Sequence, residues 1–137
     1  MDLRKILAGS LVGVIASMAI GIVFYMLYYQ GQFTALQAEF PSVMNAEPLF
    51  AIGILVSFGQ AFLTAMYFDK AGVDALKSGA VNGAWISAAI WIVANGNMLA
   101  MTKLTSMEYF FTDIVISAVM GAFTGAIMAI VMKRMSK

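Results

Sequence analysis

The sequence predicts an all-α integral membrane protein, a four-helix bundle with both termini in the cytoplasm, and three observations predict this fold. The first is composition: 62% of the 137 residues are hydrophobic and 11% are charged, whereas a soluble domain carries about 25% charged residues. The second is that the charged residues leave four long uncharged stretches. The third is that the basic residues fall almost entirely on one side of those stretches.

The four uncharged stretches are residues 6–38, 48–68, 78–102 and 114–132. A helix needs about 20 residues to cross a hydrocarbon layer of about 30 Å, so each stretch fits one span and none fits two with a turn. The stretches do not alternate polar and apolar residues as outer-membrane β-strands do. We therefore predict a single transmembrane domain over residues 1–137. Its helices lie near 6–29, 49–69, 73–101 and 107–133, with an outer loop over 30–48.

The first helix follows Arg4 and Lys5 and is apolar for about 24 residues. Because the apolar region of a cleaved signal peptide spans about 7–15 residues, we expect this helix to be retained. In the loop that follows, four residues before Pro41 have the spacing of one helix face: Phe33, Leu36, Gln37 and Phe40. This segment is either a short amphipathic helix in the membrane interface or an ordinary loop.

Charged or capping residues bound the other three helices. The second helix ends at Asp69. The uncharged stretch of the third helix lies between Lys77 and Lys103. The fourth follows residues 105–108, where Thr105 and Glu108 have the spacing of a capping box. It continues to the basic C-terminus.

The distribution of basic residues predicts the orientation. Seven of the eight lie on one side of the predicted spans: Arg4, Lys5, Lys70, Lys77, Lys133, Arg134 and Lys137. The other side holds only Lys103. By the positive-inside rule both termini are then cytoplasmic, and the protein is a multi-pass protein of the cell's inner (plasma) membrane.

Each predicted helix carries a row of small residues at four-residue spacing. In lipid, helices associate largely through such residues, because apolar character alone does not drive them together. The glycines predicted to pack the helices are Gly9, Gly13, Gly21, Gly53, Gly79, Gly83, Gly121 and Gly125. Four helices need not use all these faces internally, so we also expect contacts with another copy or with other membrane subunits.

One acidic residue, Asp113, lies beside the apolar part of a span. It extends the small-residue row of the fourth helix by four residues from Ser117, so it is predicted to face protein. An acid inside the membrane is costly and indicates an ion, proton or substrate site. The candidate polar site is Asp113, Asn95, Asn97, Gln60 and Trp91. Alternatively, the amides only join helices, and Asp113 lies in the interface near Lys103.

The tyrosines near the outer ends of the helices have an ordinary interpretation. They are Tyr25, Tyr28, Tyr29 and Tyr109. Tyrosine is common at the membrane surface, where it fixes the depth of a helix, so no ligand is needed to explain them.

The sequence contains neither Cys nor His. Disulfides, iron–sulfur clusters, histidine-ligated haem and catalysis by Ser–His or Cys–His pairs are thereby excluded. We expect no metal, no cofactor, no catalytic residue and no enzymatic activity. A net charge of +1 with dispersed basic residues indicates no nucleic-acid partner, so the expected partners are membrane lipid and membrane protein.

Two segments carry a resemblance to known proteins: residues 79–85 (GAVNGAW) and residues 117–122 (SAVMGA). With the layout of the whole chain, they make the sequence similar to small bacterial four-helix integral membrane proteins of the domain-of-unknown-function type. The resemblance implies the same fold and an inner-membrane location. Its matched positions are packing residues, so it implies no catalytic or binding residue.

Three functions agree with these features. The first prediction is a structural or accessory subunit of a homo-oligomer or larger membrane complex. The second is a small channel or transporter for a proton, a cation or a small polar solute, with Asp113 as the charged group. The third is a lipid- or pigment-binding protein that uses Trp85, Trp91 and the tyrosines.

Overall fold

The computed structural model describes residues 2–135, and its long segments are all helical. Four helices are long and apolar enough to cross a membrane: Leu3–Glu39, Phe50–Ala71, Leu76–Met101 and Met107–Met135. The described residues contain no β-strand. The prediction of an all-α protein with four helices able to span a membrane is therefore confirmed.

The first of these helices has three parts: α1 (Leu3–Phe24), a π-helical turn (Tyr25–Tyr29) and α2 (Gln30–Glu39). The others are α3 (Phe50–Ala71), α4 (Leu76–Met101) and α5 (Met107–Met135). We call the end of the bundle with residues 2, 72–75 and 135 the terminal end. The opposite end, with α2 and the connections at 40–49 and 102–106, is the loop end.

The first spanning helix is longer than predicted at both ends. Asp2 caps its start, because the Asp2 Oδ1 accepts hydrogen bonds from the backbone N–H of Arg4 (3.0 Å) and Lys5 (3.2 Å). At its other end the helix continues to Glu39, so the outer loop begins later than residue 30, and of the two alternatives for the segment before Pro41 the structure contains the helix. No proline interrupts the helix before Pro41. Its 37 residues measure about 55 Å, so α2 extends past a hydrocarbon layer of about 30 Å.

Two of the other helix ends show local control by the sequence. Gly72, at φ 65°, ends α3 in the left-handed conformation that glycine adopts most easily. At the start of α5, the Ser106 Oγ accepts a hydrogen bond from the Tyr109 N–H (3.1 Å). Ser106 directly precedes Met107, the first residue of α5, so it takes the capping position predicted for Thr105.

The most extensive helix contact is between α4 and α5, and glycines form its centre. The backbone of Gly83 lies against that of Gly121, and Gly79 lies against Gly125. A Cβ atom at any of these four positions would overlap a carbonyl oxygen of the facing helix. The predicted packing role of these four glycines therefore has a direct structural basis.

The α1 helix packs against both α5 and α3 through small residues. A Cβ at Gly9 would lie 2.7 Å from the Met132 Sδ, and one at Gly13 would lie 2.8 Å from the Met128 Sδ. On α3, Ala61 faces Gly13 in the same way. The methionines of α5 thus fill the space that these glycines leave.

The other two predicted packing glycines contribute less. At Gly21 the closest atom to an added Cβ is the Met120 Cε at 3.5 Å, an ordinary contact. Gly53 is exposed and has no atom within 4 Å of that position. Within the chain Gly53 therefore packs against no other helix and lines a cavity; contact of this position with another copy stays a prediction.

Helices α3 and α4 converge near their connection at the terminal end. There, the Tyr67 hydroxyl donates to the Asn82 Oδ1 (3.1 Å), and further along the Gln60 Nε2 donates to the Ser87 Oγ (3.3 Å). Towards the loop end, α3 follows the first helix while α4 follows α5. The divergence of α3 from α4 leaves a space inside the bundle.

Candidate functional site

A cavity of about 570 Å³ occupies this space between the first spanning helix, α3, α4 and α5. Along α5 it extends from Tyr109 to Met128, a length of about 28 Å at about 1.5 Å per residue. Ligand-binding cavities in proteins usually measure about 300–1,000 Å³. The cavity is therefore large enough for a small molecule.

A buried carboxylate lies at the loop-end head of the cavity. Asp113 is 2% exposed and Asn95 is 7% exposed. The Tyr29 hydroxyl donates a hydrogen bond to the Asp113 Oδ1, and the Asn95 Nδ2 donates one to the Asp113 Oδ2. Both carboxylate oxygens thus act as acceptors, and each keeps further acceptor capacity. We call Tyr29, Asn95 and Asp113 the Asp113 site.

The π-helical turn brings Tyr29 into this site. The Gln30 N–H bonds to the Tyr25 carbonyl, five residues earlier, so this turn contains one more residue than an α-helical turn. Such turns occur often at functional sites, because the extra residue changes the direction in which the following side chains point. Tyr29 is the last residue of the turn and reaches across to α5.

Asp113 lies at one edge of the expected hydrocarbon layer but inside protein. It is 20 residues before Lys133 on α5, a distance of about 30 Å along the helix, which equals the thickness of the layer. Its 2% exposure means that neither lipid nor bulk water surrounds it in the bundle. The site is therefore accessible mainly through the cavity that it lines.

No basic side chain neutralises Asp113 in the described chain. The ion pairs of residues 2–135 are Lys5–Asp69 at 3.1 Å and Lys133–Asp74 at 3.8 Å, both at the terminal end. Tyr29 and Asn95 are neutral donors, so they orient the carboxylate without cancelling its charge. Since burying an unpaired charge is costly, the site favours a positively charged ligand or a proton.

Aromatic residues line the cavity about one helical turn from the Asp113 site. On each of the three helices, the aromatic residue lies four positions before the member of the site: Tyr25 before Tyr29, Trp91 before Asn95 and Tyr109 before Asp113. Tyr109 also stacks on Tyr28, with ring centroids 6.1 Å apart. The head of the cavity thus combines one carboxylate with several aromatic faces.

A second polar level lies deeper in the cavity. Ser87, which accepts the hydrogen bond from Gln60, is eight residues before Asn95, about 12 Å along α4. Thr64 lines the same region, but its hydroxyl already donates a hydrogen bond to the Gln60 carbonyl (2.9 Å). The Thr124 Oγ1 is buried and has no hydrogen-bond partner within residues 2–135, although Thr124 lines the cavity.

The terminal end of the cavity is closed by packed side chains. Ile6, Phe68, Met128 and Met132 are fully buried there in one hydrophobic cluster. Beside this cluster, Lys5 pairs with Asp69, and the Asp69 Oδ2 accepts the Asp2 N–H (3.1 Å). The cavity therefore does not continue to the terminal end.

The structure brings together most, but not all, of the residues predicted for the polar site. Asp113, Asn95 and Trp91 lie at the head of the cavity, and Gln60 lines it at the second level. Asn97 does not take part: it is exposed, and its Nδ2 donates to the Val93 carbonyl (2.9 Å). Asn97 is two positions after Asn95, so on a helix its side chain points about 200° away from that of Asn95.

Sequence reasoning missed Tyr29, Tyr25 and Tyr109 as site residues. Their position near the ends of helices predicted an aromatic belt or, in the third predicted function, contacts with a lipid or pigment, and did not connect them with Asp113. The signal that could have indicated Tyr109 is its spacing of four residues from Asp113, the same spacing that related Asp113 to Ser117. Tyr29 carries no such signal, because its direction depends on the π-helical turn.

The arrangement does not provide a multidentate metal site. Within residues 2–135, no group of three or more His, Cys, Asp or Glu side chains is close enough to hold a metal ion. What the site offers is a single oriented carboxylate, neighbouring aromatic faces and a long cavity.

Comparison of the chain with family models, with curated proteins and with solved structures finds no match. The function is therefore inferred from the geometry of the site.

Proposed function

We propose that the protein is a small membrane carrier that binds a positively charged solute in the cavity, with Asp113 as the charge that attracts it. The observation that supports this proposal is the Asp113 site itself. A carboxylate that is 2% exposed, lacks a basic partner in the described chain and opens onto a cavity of about 570 Å³ is suited to bind a cation. Ionisable residues inside membrane proteins commonly mark such pathways.

The proposal includes an orientation. The basic residues concentrated at the terminal end support a cytoplasmic location for both termini, in the inner (plasma) membrane. The closed end of the cavity then faces the cytoplasm, and the Asp113 site lies towards the outside. A carrier with this arrangement admits its solute from the outside and releases it after the cluster around Phe68 and Met132 rearranges.

Charge displacement in proteoliposomes tests this function. Vesicles that contain the protein are adsorbed on a solid-supported membrane and exposed to rapid jumps in Na⁺, K⁺, ammonium or benzyltrimethylammonium. We expect a transient current with at least one of these cations, lost in Asp113→Asn and retained in Asp74→Asn, whose side chain is 61% exposed at the terminal end. Currents that are absent with all four cations, or equal in the wild type and Asp113→Asn, would contradict the proposal.

A second candidate function is a subunit of a homo-oligomer or larger membrane complex. The observation that favours it is the loop-end half of α3, where residues 50–56 are all exposed and the large apolar side chains of Ile52, Leu55 and Val56 do not line the cavity. Native mass spectrometry of wild type and Leu55→Asn tests it. A complex that dissociates in Leu55→Asn supports a subunit role, and a wild-type monomer in several mild detergents contradicts it.

A further inference from the structure

The lining of the cavity indicates the chemical class of the cation. We infer that the solute is an organic ammonium ion with an apolar body, held by its charge at the Asp113 site; this inference rests on the proposed function. Three features of the cavity support this class over an inorganic ion: the aromatic residues near the carboxylate, the presence of one carboxylate and not several, and the size and mainly apolar lining of the remaining space.

The aromatic faces are the first feature. Tyr25, Trp91 and Tyr109 line the cavity one turn from the three members of the Asp113 site. The negative face of an aromatic ring attracts cations, and a cage of such rings is the common way to bind a quaternary ammonium group. Rings placed beside a carboxylate therefore suit a cation that carries carbon groups, because these groups bury against the rings while the charge faces Asp113.

The oxygen ligands are the second feature. Inorganic cations of the Mg²⁺ and Ca²⁺ type take six or more oxygen ligands, and no group of three or more acidic side chains exists in residues 2–135. Both oxygens of Asp113 already accept a hydrogen bond, one from Tyr29 and one from Asn95. The site can therefore balance one positive charge, but it lacks the several carboxylates with which proteins usually bind Mg²⁺ or Ca²⁺.

The space below the site is the third feature. From Asp113 the cavity continues past Gly21, Ile54 and Met120 to Met128. These residues present apolar surface, and the cavity of about 570 Å³ greatly exceeds the space of one ion. An apolar group attached to the ammonium fills this part of the cavity and gains the free energy of leaving water.

Fluorescence of Trp91 measures binding at the site directly. The chain has two tryptophans, and Trp85 is 50% exposed, so Trp85→Phe leaves Trp91 as the reporter beside the cavity. The probes are benzyltrimethylammonium and neopentylbenzene, which have the same shape but differ in charge, together with K⁺ and Na⁺. We expect saturable binding of benzyltrimethylammonium and at least tenfold weaker binding of neopentylbenzene, a difference of about 1.4 kcal/mol.

Three variants in the Trp85→Phe background connect the binding to the residues. Asp113→Asn is expected to weaken binding of benzyltrimethylammonium at least about tenfold. Tyr109→Leu, which removes a ring, is expected to weaken it similarly, whereas Tyr109→Phe retains the ring and the affinity. A purely structural role of Tyr109 would lower the folded fraction in the leucine variant without changing the affinity of the protein that remains folded.

The possible results separate this inference from the proposed function. If K⁺ or Na⁺ binds through Asp113 and benzyltrimethylammonium does not, the inference is wrong and the proposed function stands. If neopentylbenzene binds as tightly as benzyltrimethylammonium and Asp113→Asn changes neither affinity, the cavity is an apolar site, and the inference and the proposed function are wrong. If binding requires the charge of the probe and the carboxylate of Asp113, the inference and the proposed function are supported.

Discussion

The hydroxyl of Tyr29 donates a hydrogen bond to the carboxylate of Asp113, although the two residues are 84 positions apart in the chain. This contact joins the π-helical turn of the first spanning helix to α5, and Asn95 adds α4 from the other side of the carboxylate. The Asp113 site therefore holds three helices together at the end of the bundle where α3 and α4 have separated. It serves both the packing of the bundle and the chemistry of the cavity.

Removal of the Tyr29 hydroxyl tests the structural part of this role. We expect Tyr29→Phe to lower the free energy of unfolding by about 1.5–3 kcal/mol, the usual contribution of a hydrogen bond to a charged group. Thermal unfolding in a mild detergent measures the change. Tyr28→Phe is the control, because the contacts of Tyr28 in the structure are ring contacts with Tyr29 and Tyr109. Equal stability of the two variants would contradict the assigned hydrogen bond.

The glycines between α4 and α5 give a second prediction. A Cβ at Gly83 overlaps the Gly121 carbonyl oxygen, so Gly83→Ala must separate the two helices. We expect a loss of about 1–3 kcal/mol or more, the usual cost of overpacking, seen as a lower unfolding temperature.

Two other glycines provide matched controls for this substitution. Gly53 and Gly59 lie inside α3 and have no atom within 4 Å of an added Cβ. Gly53→Ala and Gly59→Ala should be neutral or stabilising by up to about 1 kcal/mol, because alanine favours helix more than glycine does. A loss in these variants as large as that in Gly83→Ala would show that the effect does not come from the α4–α5 contact.

The unpartnered hydroxyl of Thr124 gives a third prediction. Valine has nearly the same shape as threonine and lacks the buried oxygen that has no partner in the described chain. We expect Thr124→Val to raise the unfolding free energy of the ligand-free protein by about 1 kcal/mol, because a buried unsatisfied polar group costs about 1–3 kcal/mol. Thr64→Val is the contrast, since the Thr64 hydroxyl donates to the Gln60 carbonyl. A destabilised Thr124→Val would indicate a hydrogen bond that this structure does not contain.

The ion pairs at the terminal end give a fourth prediction. Asp69 pairs with Lys5 at 3.1 Å, with side chains 12% and 14% exposed, and also accepts the Asp2 N–H. Asp74 pairs with Lys133 at 3.8 Å, with both side chains more than half exposed. We expect Asp69→Asn to lower the unfolding temperature and Asp74→Asn to leave it nearly unchanged, since exposed pairs contribute little. Unfolding temperatures measured at low ionic strength should be lower for Asp69→Asn than for Asp74→Asn. Equal unfolding temperatures would show that the two ion pairs contribute equally, contrary to this prediction.

The sequence predicted the parts of the fold that depend on composition and on local spacing. The uncharged stretches located the four spanning helices, and the four-residue rows identified Gly79, Gly83, Gly121 and Gly125 as packing positions. The helix ends were less accurate. The first helix extends ten residues past the predicted end of the span, from 29 to Glu39, and the spacing of Phe33, Leu36 and Phe40 indicated a helix there only as one of two alternatives.

The candidate site was predictable only in part, for a similar reason. Asp113, Asn95 and Trp91 lie on helix faces whose direction follows from the spacing of small residues, so their meeting could be predicted. Tyr29 could not be assigned, because the π-helical turn that directs it has no sequence pattern that we recognise. Asn97 was predicted from its residue type and depth, and its helix face turns away from the bundle. Gly53 was predicted from its place in the four-residue row of its helix, and it lines the cavity without packing against another helix.

The proposed function depends on the binding of a cation by the carboxylate of Asp113 inside the bundle. Infrared difference spectroscopy measures this binding, by perfusing the reconstituted protein with and without benzyltrimethylammonium and comparing wild type with Asp113→Asn. We expect a shift of a carboxylate stretching band on addition of the cation, absent in Asp113→Asn and retained in Asp74→Asn. A wild-type difference spectrum identical to that of Asp113→Asn would contradict it.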